Sequence, residues 1–160
     1  MDADLELWLM RHGEAEHSAG SDGERALSER GRQQVRQFAR WMAGRVPAPD
    51  LVWHSPLRRA RETAELIADE YGMLSDLQEQ SLLAPGLQAD RLVSALAERA
   101  VTRVVCVGHQ PDIGRALADL VGGSRILIPP GLCAGVVFTG PISVGAGSLR
   151  WLADPAWFGG

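Results

Sequence analysis

The sequence predicts an α/β fold, with a mostly parallel sheet flanked by helices and an antiparallel strand at one edge. Three observations carry this. Two apolar runs, Leu5 to Met10 and Val104 to Val107, end abruptly in a histidine beside a glycine, as Arg11-His12-Gly13 and Gly108-His109-Gln110. Each run reads as a buried strand. Segments of helical period lie between and after these runs, the alternation expected of parallel strands joined by crossover helices. The length, 160 residues, suits one domain with a sizeable core.

The elements follow in order. Beyond the first strand, Gly13 to Leu27 is polar, glycine-rich and too long for a tight connection, so it is expected to cover part of a site. Ser28 can cap a helix reaching about Arg45, with Val35, Phe38, Ala39, Met42 and Val46 on its buried face and its arginines on a solvated one. Pro47 and Pro49 break the chain before a second strand, Leu51 to Trp53. Ser55 as cap and Pro56 at the first helical position then start a helix that Gly72 stops. Its buried stripe is Leu57, Ala60, Ala64, Ile67, Ala68 and Tyr71, and Arg58 falls in its first turn. A cation there is locally unfavourable for the helix, which hints that a function needs it.

Leu77 to Leu83 reads as a third strand, and Asp90 as the cap of a helix turning Leu92, Val93, Leu96, Ala97 and Ala100 inward. After the strand Val104 to Val107, Pro111 opens a helix with Ile113, Ala116, Leu117, Leu120 and Val121 on one face, ending at Gly122 and Gly123. Ala134 to Thr139 and Ser148 to Leu152 give two more strands, one of them the antiparallel edge. Trp157 and Phe158 read as packing residues.

Composition narrows the function. Apolar residues at 46% and charged residues at 22% make a soluble globular composition rather than a disordered or membrane one. The formal net charge of -4 argues against nucleic-acid or anionic-membrane partners, while leaving room for a local cationic pocket. Cys106 and Cys133 lie in no CxxC pair and near no histidine at metal-ligand spacing, so they are expected to be reduced and partly buried, with no metal bound. Asp2, Asp4 and Glu6 stand where a signal peptide would need positive charge, and no apolar stretch approaches membrane-spanning length. The cytoplasm is the expected compartment.

If the strands bearing His12 and His109 are neighbours in one sheet, their carboxyl ends bring Arg11, His12, Arg58 and His109 into one crevice. Forked guanidinium donors match the non-bridging oxygens of a phosphoryl group. A neutral imidazole at His12 can attack phosphorus, with a backbone carbonyl on its other nitrogen fixing the tautomer. His109 would stabilise charge on the transferring group, and fixed cations would supply what a metal supplies elsewhere, so no cofactor is expected. His17 and His54 read as structural.

Three ordered segments, MRHGEAE at 10 to 16, SPLRRARETAE at 55 to 65 and VGHQPDIG at 107 to 114, together resemble the histidine phosphatase superfamily, the RHG phosphatases. The short length, SDGERALSERG at 21 to 31 and LLAPG at 82 to 86 are similar to the small phosphohistidine phosphatases of the SixA type. The resemblance implies a three-layer α/β/α, phosphoglycerate mutase-like fold. It implies that His12 is transiently phosphorylated, that Arg11, Arg58 and His109 form the phosphate pocket, and that Arg25 lines it too. Larger members of the superfamily carry an acidic residue after the third strand, where this chain has Leu82 and Leu83, with Glu79 and Asp90 only nearby. An imidazole leaving group needs less acid assistance than an alkoxide, so the departure favours a phosphoramidate substrate such as a phosphohistidine on a phosphotransfer protein. A small-molecule phosphomonoesterase and an inactive phosphoprotein-binding module are the alternatives.

Overall fold

The computed structural model describes residues 4–17 and 20–158. Asp2 of the acidic N-terminal stretch and Ser18 and Ala19 of the polar loop lie outside the described residues. Six strands form one sheet: β1 (Leu5–Arg11), β2 (Leu51–His54), β3 (Leu77–Glu79), β4 (Arg103–Gly108), β5 (Cys133–Phe138) and β6 (Ser148–Ala153). Four helices join them: α1 (Glu29–Ala43), α2 (Arg58–Glu70), α3 (Ala89–Ala97) and α4 (Asp112–Val121). The spatial order is β3-β2-β4-β1-β5-β6. β1, β2, β3 and β4 run parallel, whereas β5 is antiparallel to β1 and β6 antiparallel to β5. The expected antiparallel edge is present: β6 lies at the edge, antiparallel to β5, and β5 is the strand that runs against β1.

Side chains alternate across a strand, and β1 shows why the sheet needs a helical layer on each face. Leu5, Leu7 and Leu9 join the buried cluster that includes Leu92 and Leu96 of α3 and Ile113, Leu117 and Leu120 of α4. Trp8 and Met10 join the opposite cluster, with Val35, Phe38 and Met42 of α1 and Ala60, Ala64 and Ile67 of α2. Glu6, the polar residue of this run, is buried but receives Trp8 Nε1 at 3.0 Å, Trp151 Nε1 at 3.2 Å and Arg103 Nη2 at 3.0 Å. Burial alone would raise its pKa. Those donors outweigh it and hold the carboxyl below the usual range.

Several boundaries differ from the sequence reading for identifiable reasons. α1 starts as expected, with Ser28 Oγ accepting from Gly31 N at 3.0 Å. A Cβ on Gly31 would stand 2.1 Å from the Glu14 carbonyl oxygen, so glycine is what lets α1 press against the chain leaving β1. α2 begins at Arg58 with Leu57 as the cap residue, two positions later than Ser55 and Pro56 suggest. β3 stops at Glu79, and Ser81–Leu83 forms a 3₁₀ turn. α3 is capped at Gln88 rather than Asp90, and Ala97 and Ala100 are exposed while Ala89 is buried. Of the two C-terminal aromatics, Phe158 packs on Phe38 and Trp41, but Trp157 is exposed. Both cysteines are buried and free. Among the described residues no helix is long and apolar enough to cross a membrane.

Candidate active site

Register places the two histidines together. The last paired residues of β1 and β4 are Arg11 and Gly108, so His12 and His109 are the next residues out of adjacent parallel strands. His12 N donates to Gly108 O at 3.0 Å, and the imidazole centroids lie 5.2 Å apart.

The His12 ring is buried, with Nδ1 2.7 Å from Gly13 O. A carbonyl oxygen only accepts, so Nδ1 carries the proton and Nε2 keeps its lone pair. Nε2 in turn receives Arg59 Nε at 3.3 Å. Burial, aided by His109, Arg59 and Arg11, pushes the His12 pKa down to about 3 against the opposing pull of the Gly13 carbonyl. His109 is likewise pushed down to about 4, by burial first and then by Arg59 and Arg11, with Asp112 and Asp22 opposing. Both rings are neutral at neutral pH. His109 Nε2 lies 2.6 Å from Ser55 Oγ, which also accepts from Leu57 N at 3.2 Å.

Two guanidiniums border the rings. Arg11 Nη1 donates to Ile128 O at 3.0 Å, while its Nε is buried with no hydrogen-bond partner, as is His109 Nδ1. Arg59 is buried, and beyond its contact with His12 it donates through Nη1 to Asp22 O at 2.8 Å and through Nη2 to Asp22 Oδ2 at 3.1 Å. Thr63 locks this corner: its Oγ1 accepts from Gly13 N at 3.0 Å and donates to Arg59 O at 2.7 Å.

Arg58, the arginine expected in the crevice, is outside it. Because α2 starts at Arg58, that side chain lies on an exposed flank and pairs with Glu62 at 2.8 Å, and Arg59 takes the inward position. Arg25 sits one contact away from the pocket, donating to Asp22 Oδ1 at 3.0 Å and to Glu16 O at 2.7 Å. Sequence reasoning missed Arg59, Ser55, Thr63 and Asp22. For the first, a signal existed: Arg58 and Glu62 stand four apart, the spacing of a helix-surface ion pair. Of the expected structural histidines, His54 is buried with Nδ1 2.8 Å from Ser55 O, and His17 is exposed.

A corner with a buried, unpartnered Arg11 Nε–H, a second buried arginine and a neutral imidazole is suited to a tetrahedral oxyanion beside a nucleophile. The family match agrees: the model for the histidine phosphatase superfamily (branch 1) matches residues 7–85, which include Arg11, His12, Ser55 and Arg59. The chain belongs to the histidine phosphatase superfamily. It is 29% identical over 156 residues, 94% of each chain, to phosphohistidine phosphatase SixA of Escherichia coli (strain K12). It is 27% identical over 130 residues, 74% of this chain and 78% of the other, to a SixA homolog of Haemophilus influenzae. The solved structure of the protein histidine phosphatase SixA complexed with tungstate superposes with a TM-score of 0.86 at 27% identity, covering 95% of this chain and 98% of that one.

Against other superfamily members, the surroundings of the pocket matter as much as its centre. In the turn after β3, Leu83 is fully buried, while Glu79 and Asp90 are exposed. Asp22, Glu62 and Asp112 are already engaged. Asp22 is held below the usual range by hydrogen bonds from Arg25 and Arg59. Glu62 is held down by Leu27 N, Arg58 and Arg32, which outweigh its burial. Asp112 Oδ2 accepts from Gly86 N at 2.7 Å.

Proposed function

We propose that this chain is a phosphatase that removes the phosphoryl group from a phosphohistidine on a protein, working through a phosphohistidine formed on its own His12. The observation that carries the reading is the His12 ring itself: neutral, with Nδ1–H spent on Gly13 O, and Nε2 aimed at the Arg59 guanidinium beside His109. Nε2 attacks phosphorus in line, a new P–N bond forms, and the bond from phosphorus to the substrate's imidazole nitrogen breaks. Arg11, Arg59 and His109 hold the non-bridging oxygens, with charge stabilisation that is in place before the reaction begins. The departing imidazole takes a proton from solvent. Water then attacks the phosphorus on His12, releasing orthophosphate and restoring the ring.

The engaged state of Asp22, Glu62 and Asp112 supports a leaving group that asks little of a general acid. Imidazole fits that description better than an alkoxide. The likeness to SixA proteins over nearly the whole chain supports a protein substrate, and a cytoplasmic histidine phosphotransfer domain is the partner this reading points to.

Brief exposure to a histidine-phosphorylated phosphotransfer protein should leave an acid-labile, base-stable phosphate on His12, absent from His12→Ala. Turnover of that protein should exceed turnover of sugar and nucleotide phosphates. Label that persists in His12→Ala, or a strong preference for sugar esters, would overturn the proposal.

A further inference from the structure

Arg59 presents two hydrogen-bonding edges, a side edge of Nε and Nη2 and an end edge of Nη1 and Nη2. The two are used differently. Nε faces His12 Nε2 at 3.3 Å, while the end edge is taken by one residue, Asp22, through its main-chain oxygen at 2.8 Å and its carboxylate Oδ2 at 3.1 Å. The other carboxylate oxygen, Oδ1, receives Arg25 Nη1 at 3.0 Å, and Arg25 is itself tied by Nε to Glu16 O at 2.7 Å. The loop that carries Asp22 is closed at its base by the pairing of Ala15 with Leu27 and is fastened to α2 by Leu27 N donating to Glu62 Oε2 at 2.8 Å. The Asp22 side chain is 64% exposed, where an ion pair contributes little to stability. Its arrangement does fix a direction for Arg59.

We propose that Asp22 is a positioning residue for the phosphoryl site, gripping Arg59 by its end edge so that the side edge is presented to the group attached at His12. A long arginine side chain then enters the reaction already ordered, with its fork turned to the oxyanion. Arg25 completes the grip from the far side and, among the described residues, reaches the site through Asp22. The inference rests on the reading that Arg59 holds the phosphoryl group.

The test is a double-mutant cycle on the full chain with Asp22→Ala, Arg59→Ala and the pair, reading orthophosphate affinity together with kcat and KM for the phosphohistidine protein. In the wild-type background Asp22→Ala should weaken orthophosphate binding and lower kcat by about tenfold, with a smaller change in KM. Asp22→Asn, which keeps an oxygen acceptor for Arg59, should recover part of the loss. In the Arg59→Ala background, removing Asp22 should add less than about twofold. Tighter orthophosphate binding in Asp22→Ala would show a competitor in place of a positioner, and an equal loss with and without Arg59 would show an effect routed elsewhere; either overturns the proposal. If phosphohistidine turnover failed while the orthophosphate cycle held, the substrate assignment would fall and the role of Asp22 would stand.

Discussion

His12 and His109 leave neighbouring strands one residue beyond the same paired register, yet different kinds of partner hold their rings. A main-chain carbonyl, Gly13 O, fixes His12 at 2.7 Å; a side-chain hydroxyl, Ser55 Oγ, meets His109 at 2.6 Å. A carbonyl can only accept, so the His12 tautomer is set by the backbone and its reactive nitrogen cannot be reassigned. A serine hydroxyl both donates and accepts, so His109 can exchange proton roles with Ser55 as charge builds and leaves the site. The strand end with the rigid partner suits a nucleophile, and the one with the adaptable partner suits a group that stabilises charge.

The largest expected effects break this comparison directly. Replacing His12 with Ala should reduce turnover by more than about 1,000-fold and abolish the phosphoenzyme, because on the proposed reading it removes the attacking nitrogen. Replacing His109 with Ala should cost less, about 100- to 1,000-fold, and should still permit slow labelling of His12, since on the proposed reading only charge stabilisation is lost. Rapid-quench measurement of the phosphoenzyme separates the two. Labelling that disappears equally in both variants would mean that the rings do not divide the work in this way.

A smaller effect should come from the neighbouring arginines of α2, which also show what a sequence conceals. Arg59→Ala should lower kcat by about 100-fold, as expected for loss of an oxyanion donor. Arg58→Ala should leave kcat within about threefold and change stability by under about 1 kcal/mol, because it removes only a partly exposed pair with Glu62. Steady-state kinetics and thermal melts of the two variants suffice. The strands, the helix faces and the meeting of His12 with His109 were legible because apolar periodicity and strand ends are local patterns. Which of two adjacent arginines turns inward depends on where α2 begins and on how it packs, and the partner that Ser55 meets at that start, His109, is 54 positions away. The acceptor for Arg59 on the loop was equally hidden, since no local pattern links Asp22 to a helix 37 residues on. That the turn after β3 carries Leu82 and Leu83 was legible without any coordinates; that Leu83 is buried and Glu79 and Asp90 are exposed was not.

A further expected effect is on stability, and its sign follows from the same two rings. Each has a folded pKa below the ordinary value of 6.5, at about 3 for His12 and about 4 for His109, with burial the first cause in both. Below 6.5 the unfolded chain binds protons that these rings refuse, so acid favours unfolding. The contribution of neutral burial is present above 6.5 and is lost as pH falls toward about 4 for His109 and about 3 for His12. Between pH 7 and pH 5 the melting temperature should therefore fall more steeply for the wild-type chain than for a variant with His12→Gln and His109→Gln. The carboxylates that are held down, such as Glu6 and Glu62, lose their contribution only at lower pH, below their ordinary value of 4.5. Imidazole proton resonances should show both rings still neutral at pH 5. A ring that titrates near 6.5 would mean that its strand end is open to water, and the contrast between the rigidly held and the adaptable histidine would lose the neutrality on which both roles depend.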